Sequence, residues 1–220
     1  FPNLSMNGAA SDDMTRGSKR NRPLSVWKET DSIENRKVSA MVTILDGPGC
    51  RYAKRSGCLM CGYGNDVRTG DVTDKDLIDQ FMKAMDRYSG EPYIKIFTSG
   101  SFLDPGEIPS KVQLKILDIL SSRCPETRLL VESRPEFINK KNIEPLLGKV
   151  KELEIAIGLE TSDDMIRSNY IRKGFSLEEY IKAGQMSIDM GCLVKTYLLL
   201  KPPLLGEEAS INDTIGSIYD

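Results

Sequence analysis

The sequence predicts an α/β fold built on a parallel sheet, and two observations carry that prediction. From residue 37 onward, short runs rich in β-branched and aromatic residues alternate strictly with segments of helical periodicity, giving five strand-plus-helix units. The thiols, carboxylates and lysines least suited to a core gather at the carboxyl ends of those strands, where parallel α/β folds place their working groups. Such alternation closes either as a barrel or as a doubly wound sheet.

Residues 1–24 are polar and carry a basic cluster (Arg16, Lys19, Arg20, Arg22), so they are read as an arm with little structure. The cluster is either a solvated charge run or a contact for a phosphate backbone. Trp27, the only tryptophan, is read as an anchor packing the arm onto the body. Residues 25–220 then form one domain. The first strand is expected over 38–45. A helix over 71–88 has Leu77, Ile78, Phe81, Met82 and Met85 on one face, Thr73 as N-cap and acidic residues in its first turn. A strand follows at 93–98 and a proline-opened helix at 109–122. Residues 128–133 form a strand and 136–147 a helix broken at Pro145. A strand at 153–160 precedes helices at 163–171 and 177–190, the second ended by Gly191. The fifth strand is expected over 193–200, and a last helix starts at Gly206.

Composition narrows the function. With 40% hydrophobic and 28% charged residues the chain can bury an ordinary core. No apolar run is long enough to span a bilayer, and no secretory signal is visible. A net charge of −2 argues against a general nucleic-acid binder, though not against a nucleic-acid substrate held mainly by another protein. The sequence contains no histidine, which removes histidine bases, Ser-His and Cys-His nucleophiles and histidine-containing zinc sites. Five cysteines, three of them crowded together, suit a reduced cytoplasmic protein using thiolates as ligands.

The strand ends hold the candidates. Cys50, Cys58 and Cys61 lie on a glycine-flanked loop after the first strand, and Ser99, Gly100 and Ser101 follow the second. Glu132 and Arg134 end the third, Gly158 and Glu160 the fourth, and Lys201 follows the fifth. Alternation puts Leu153, Ile155, Ile157 and Leu159 on one face of the fourth strand and Glu154, Ala156, Gly158 and Glu160 on the other. Lys195 and Tyr197 share a face of the fifth. Buried charges are costly unless paired or liganded, so the carboxylates are either ion-paired to Arg134 or Lys195 or turned toward a ligand.

The thiol spacing Cys-x7-Cys-x2-Cys leaves two readings open. A structural zinc needs a fourth ligand, for which only Cys124 and Cys192 remain; both read as ordinary core residues. A 4Fe–4S cluster held by three cysteines keeps one iron open for a substrate or cofactor.

These residues resemble the radical S-adenosylmethionine superfamily, which carries three cysteines on the loop after strand one of a partial (βα)6 TIM-like barrel. About five of its six βα units are present here, so the last strand is expected to lie outside this sequence, which begins at Phe and is read as part of a longer chain. The first gap between cysteines is longer than the family's common spacing, and Met60 stands where an aromatic is usual. The finer similarity is to the radical-SAM subunit of archaeosine synthase. It rests on Val26–Glu29, Gly49–Tyr63, Thr98–Pro105, Glu132–Glu136, Gly158–Thr161 and Tyr197–Pro203. Methylthiotransferases and the radical-SAM half of the tRNA-acetylating Elongator enzyme share parts of this pattern, but methylthiolation normally needs a second cysteine trio, absent here.

The resemblance implies that Cys50, Cys58 and Cys61 ligate the 4Fe–4S cluster, whose open iron chelates S-adenosylmethionine for reductive cleavage. Ser99, Gly100 and Ser101 would approach the methionine amino group, Glu132 and Glu160 the ribose or amino group, and Arg172 the carboxylate. Lys195 and Lys201 are candidates to face substrate. Implied partners are an electron donor, tRNA and a transglycosylase-like subunit that attaches lysine to a 7-deazaguanine, whose C–N bond the radical enzyme then breaks. No residue is assigned a catalytic role. Arg51, Lys54 and Arg55 are the charges nearest the cysteines, with no assigned target.

Overall fold

The computed structural model describes residues 20–62 and 71–219. They form one six-stranded sheet in the order β1 (Ser25–Ile33), β2 (Arg36–Ile44), β3 (Tyr93–Phe97), β4 (Arg128–Glu132), β5 (Glu152–Glu160) and β6 (Leu193–Leu198). The five strands from β2 to β6 run parallel, as the alternation requires. Strand β1 is an addition to the expected set and pairs antiparallel with β2. A two-residue turn joins them, with both Glu34 (φ 49°) and Asn35 (φ 63°) left-handed, the backbone that matches the twist of a hairpin. The strand escapes an apolar-pattern search because two of its half-buried residues, Glu29 and Asp31, are charged and interrupt the apolar alternation between Trp27 and Ile33.

Residues 20–24 pack on the body. Arg20 is 4% exposed and pairs with the buried Asp46, and the Leu24 amide donates to the Ile44 carbonyl (2.8 Å). Burying an arginine is costly, and two carbonyls and a carboxylate offset that cost here. Arg20 and the residues after it therefore belong to the body. Arg16 and Lys19 lie outside the described residues.

Helices cover one face of the sheet. Helix α1 (Asp74–Met85) starts at Thr73 with a reciprocal capping box to Asp76. Helix α2 is Ser110–Arg123, and α3 (Lys140–Ile143) is a single turn flanked by 3₁₀ turns. The expected helix over 136–147 is thus broken twice: Asn139 caps a new start by accepting from the Asn142 amide, and Pro145 ends it. Helix α4 (Asp164–Ile166) runs into a π turn over Arg167–Ile171 that ends with Arg172 left-handed. Helices α5 (Leu177–Asp189) and α6 (Glu207–Tyr219) follow.

The core lies between strands and helices. Met41, Ile94, Ile96, Leu129, Val131, Ile155 and Ile157 meet Leu77, Phe81, Val112, Ile116 and Leu120, all essentially unexposed. Each such side chain contributes about 2 kcal/mol of burial. The other face is concave and carries only a small apolar cluster of Ala40, Tyr93, Leu130 and Ala156. No helix among the described residues packs on it, unlike in a doubly wound sheet, which has helices on both faces. The sheet is open, yet Lys195 on β6 reaches Asp31 on β1 across the concavity (3.5 Å). The architecture is a partial TIM-like barrel. No helix among the described residues is long and apolar enough to cross a membrane.

Candidate cofactor cavity

A cavity of about 540 Å3 opens at the carboxyl ends of the parallel strands, within the usual range for small-molecule sites. Cys50, Cys58 and Cys61 line one wall; Ser99, Gly100, Glu132, Gly158 and Glu160 supply the strand ends. Seven of the nine expected metal- and cofactor-binding residues are Cys50, Cys58, Cys61, Ser99, Gly100, Glu132 and Glu160, and the structure gathers all seven in this one cavity.

The cysteine loop is held from both sides. At its start the Asp46 amide donates to Gln80 (2.7 Å), and Gln80 donates to the Arg20 carbonyl (2.6 Å). Its middle is a tight turn in which the Arg55, Ser56 and Gly57 amides converge on the Tyr52 carbonyl, with Gly57 at φ 76°. Its far side is tied to the segment after α4: the Leu59 amide donates to the Ile171 carbonyl (2.9 Å) and the Tyr52 hydroxyl to the Arg172 carbonyl (2.8 Å). The Cys61 amide donates to the Cys58 carbonyl (3.1 Å), which turns the Cys-x2-Cys pair toward the cavity.

Glu107, which sequence reasoning missed, joins this loop to the segment after β3. Its carboxylate is 3% exposed and accepts from the Arg51 amide (2.6 Å) and the Ser101 amide. Burial nevertheless pushes its pKa up, against the pull of these two amides. A Cβ at Gly100 would collide with this carboxylate and come within 3.0 Å of the Cys50 Cα, so only glycine fits there. Ser101 does not line the cavity: it is fully buried, its hydroxyl accepting from the Arg134 amide (3.1 Å).

Arg172, whose backbone is left-handed, is exposed and absent from the cavity lining. The adjacent Lys173 lines the cavity instead and donates to Glu160 Oε1 (2.5 Å). Periodicity could not separate these neighbours, because the π turn before them resets side-chain direction. Glu160 is itself left-handed at φ 70°, a strained conformation for a non-glycine residue, at a register shift between Gly158 and Glu160. A Cβ on Gly158 would come within 2.7 Å of Glu160 Oε1 and Lys173 Nζ and push this pair aside. Neither Arg134 nor Lys195 is the partner of Glu160.

The Glu132 carboxyl has no ion pair among the described residues. Burial lifts its pKa to about 7; the positive charge of Lys173 opposes the rise and the negative charge of Glu160 adds to it. Such a group both donates and accepts near neutral pH. Burial also raises the Cys50 and Cys58 thiols. Lys195 sits on the concave face below the cavity lining, and Lys201 is exposed.

No three Cys, Asp or Glu side chains among the described residues gather as around one metal ion. Cys124 caps α2 and Cys192 lies in the core cluster, both buried away from the cavity, so neither completes a zinc site. Three thiols lining one cavity are the donor number that a 4Fe–4S cubane with one open iron would take. Tyr63 and Gly64, just beyond the third thiol, lie outside the described residues.

No family model matches the chain. It is 38% identical over 207 residues to archaeosine synthase subunit beta of Methanosarcina acetivorans, covering 92% of this chain and 60% of that protein. It is 33% identical over 201 residues to the protein of the same name from Thermococcus kodakarensis, covering 89% and 62%. The chain therefore spans about 60% of the length of these curated relatives. Among solved structures, a queuine lyase from Clostridium spiroforme bound to SAM and queuine superposes with a TM-score of 0.52 at 20% identity, covering 86% of this chain and 88% of that one. The radical S-adenosylmethionine methyltransferase TsrM from Kitasatospora setae, with cobalamin and a [4Fe-4S] cluster bound, gives 0.53 at 15% identity, covering 81% and 32%. The chain resembles archaeosine synthase subunit beta, and its fold is that of radical S-adenosylmethionine enzymes.

Proposed function

We propose that this chain is the cofactor-binding barrel of a radical S-adenosylmethionine enzyme of tRNA modification. In this reading it forms archaeosine by breaking a C–N bond in a lysine adduct of 7-deazaguanine. The observation that supports it is the set of three thiols lining a strand-end cavity, in a chain similar over nearly all its length to archaeosine synthase subunit beta.

Cys50, Cys58 and Cys61 would hold a 4Fe–4S cluster, which supplies the electron for reductive cleavage of S-adenosylmethionine. The chain's own residues orient that co-substrate. Ser99 and Gly100 offer oxygens and close backbone approach to its amino group. Glu132, half-protonated near neutral pH, is suited to a ribose hydroxyl. Lys173, and not Arg172, is the cation within reach of its carboxylate. Apolar walls from Met60, Ile157 and Phe175 exclude water from the reacting atoms. The implied partners are an electron donor and the transglycosylase-like subunit that attaches the lysine.

Anaerobic reconstitution with iron and sulfide tests the reading. The wild-type protein should turn brown and cleave S-adenosylmethionine, and Cys50→Ala should lose both properties. With lysine-modified tRNA, nucleoside mass spectrometry should show conversion to the formamidine. A colourless protein holding stoichiometric zinc overturns the enzyme reading. Cofactor cleavage with another modified nucleoside as product overturns only the archaeosine assignment.

A further inference from the structure

The loop that carries the cysteines has a second face, turned away from the cavity. Arg51, Lys54 and Arg55 do not line the cavity. Together with Tyr52, Glu136 and Phe137 they line a separate groove of about 460 Å3 on the outer side of the same loop.

We infer that this groove docks the phosphodiester backbone of an RNA. The inference rests on the tRNA-modifying reading above for its choice of polyanion, and on four features of the groove for its chemistry.

Lys54 and Arg55 are exposed and make no ion pair among the described residues. The Arg51 side chain is 54% exposed, with its Nε held by Asp104 (2.6 Å), so one edge of its guanidinium is fixed and the rest faces out. The one carboxylate in the groove, Glu136, accepts from Arg134 Nε (2.6 Å) and is neutralised there. The other carboxylates beneath the loop, Asp104 and Glu107, are buried at 0% and 3% exposure. Negative charge therefore lies inward and positive charge outward, which gives this face a positive field although the chain carries −2 overall.

Two aromatic rings complete the groove. Phe137 lies under the Arg51 guanidinium (5.4 Å to the ring centre), and Tyr52 is stacked by Arg134 (4.0 Å). Cations for phosphates beside rings for unstacked bases are the pairing that single-stranded and looped RNA requires. The Tyr52–Arg134 stack is also the ridge between groove and cavity, because Arg134 lines the cavity. A strand held in the groove thus presents a neighbouring nucleotide at the cavity mouth.

Fluorescence anisotropy of a labelled tRNA transcript against the reconstituted protein, across a salt series, tests the inference. Lys54→Ala/Arg55→Ala should weaken binding and lower the slope of log K against log salt by about 1.5, two phosphate contacts' worth. Lys140→Ala/Lys141→Ala, an exposed pair outside the groove, should leave both unchanged. Phe137→Ala should weaken binding without changing the slope, since it removes stacking and no charge. An unchanged slope in the Lys54/Arg55 variant overturns the proposal. So does an equal loss in the control pair, or displacement of the RNA by polyglutamate at the same charge concentration, which would assign the groove to an acidic protein. Iron content and RNA-free cleavage of S-adenosylmethionine, read on the wild-type protein, report on the cofactor reading alone, so the two failures are distinguishable.

Discussion

The concave face of the sheet carries charged residues at two levels, and the two levels behave differently. At the floor, Lys95 is 6% exposed and reaches both Glu29 (2.6 Å) and Asp31, Tyr93 donates to Glu154, and Arg128 pairs with Glu152 (2.8 Å). These pairs join β1, β3, β4 and β5 and saturate one another. At the rim, Glu132 has no ion pair among the described residues, and Lys173 shares a single contact with a strained Glu160. The same residue types on the same strands are thus structural where they satisfy each other and available where they do not. Incomplete pairing, more than charge itself, marks the ligand-facing level.

The largest expected effect breaks this contrast at the rim. Glu132 has a folded pKa of about 7 against an ordinary value of 4.5. The folded state therefore keeps its proton while the unfolded chain ionises, and stability falls as pH rises from about 4.5 to 7, then levels off. Glu132→Gln should remove that fall and stabilise the ligand-free protein at pH 8 by up to about 3 kcal/mol, as read from urea midpoints at several pH values. A variant no more stable than wild type at pH 8 would mean the carboxyl is satisfied by a partner after all.

A smaller effect of opposite sign is expected at the floor. Lys95→Met leaves Glu29 and Asp31 without their tight cation and should cost about 2 kcal/mol, less than a fully buried pair because both carboxylates are partly exposed. Urea denaturation measures it, and cleavage of S-adenosylmethionine by the folded fraction should persist. Loss of cleavage in a folded Lys95→Met protein would erase the distinction between levels.

The smallest effect sharpens the contrast within the rim. Lys173→Ala should weaken S-adenosylmethionine binding about tenfold, the worth of one charge-assisted hydrogen bond. Arg172→Ala should change it less than about twofold, since it does not line the cavity. Equilibrium dialysis on the two variants checks the order, and a larger effect at Arg172 would restore the sequence-based assignment.

The neighbouring pair shows where the sequence stops being legible. The parallel strands and their inward faces followed from alternation along the chain, and the thiol trio from residue type and spacing. What was not legible depends on local backbone or on distant partners. Strand β1 hides because its inward residues are the polar floor itself. Lys173 lines the cavity and Arg172 does not, because the π turn before them resets side-chain direction. Ser101 and Glu107 owe their places to each other and to the cysteine loop, contacts that exist only once β3 and β4 are side by side. Arg20 looked like a solvated charge until Asp46, 26 residues on, was seen to bury it.

The far-side tether of the cysteine loop has one further property. The acceptors in the 171–173 segment are all main-chain carbonyls: Ile171 for the Leu59 amide, Arg172 for Tyr52 and Lys173 for Arg134 (2.9 Å). A carbonyl is present whatever the side chain, so the anchoring is blind to residue identity there. The exposed Arg172 and half-buried Lys173 can exchange their side chains, and with them the chemistry at the rim, while the thiols stay in register and the fully buried Ile171 holds the segment in place.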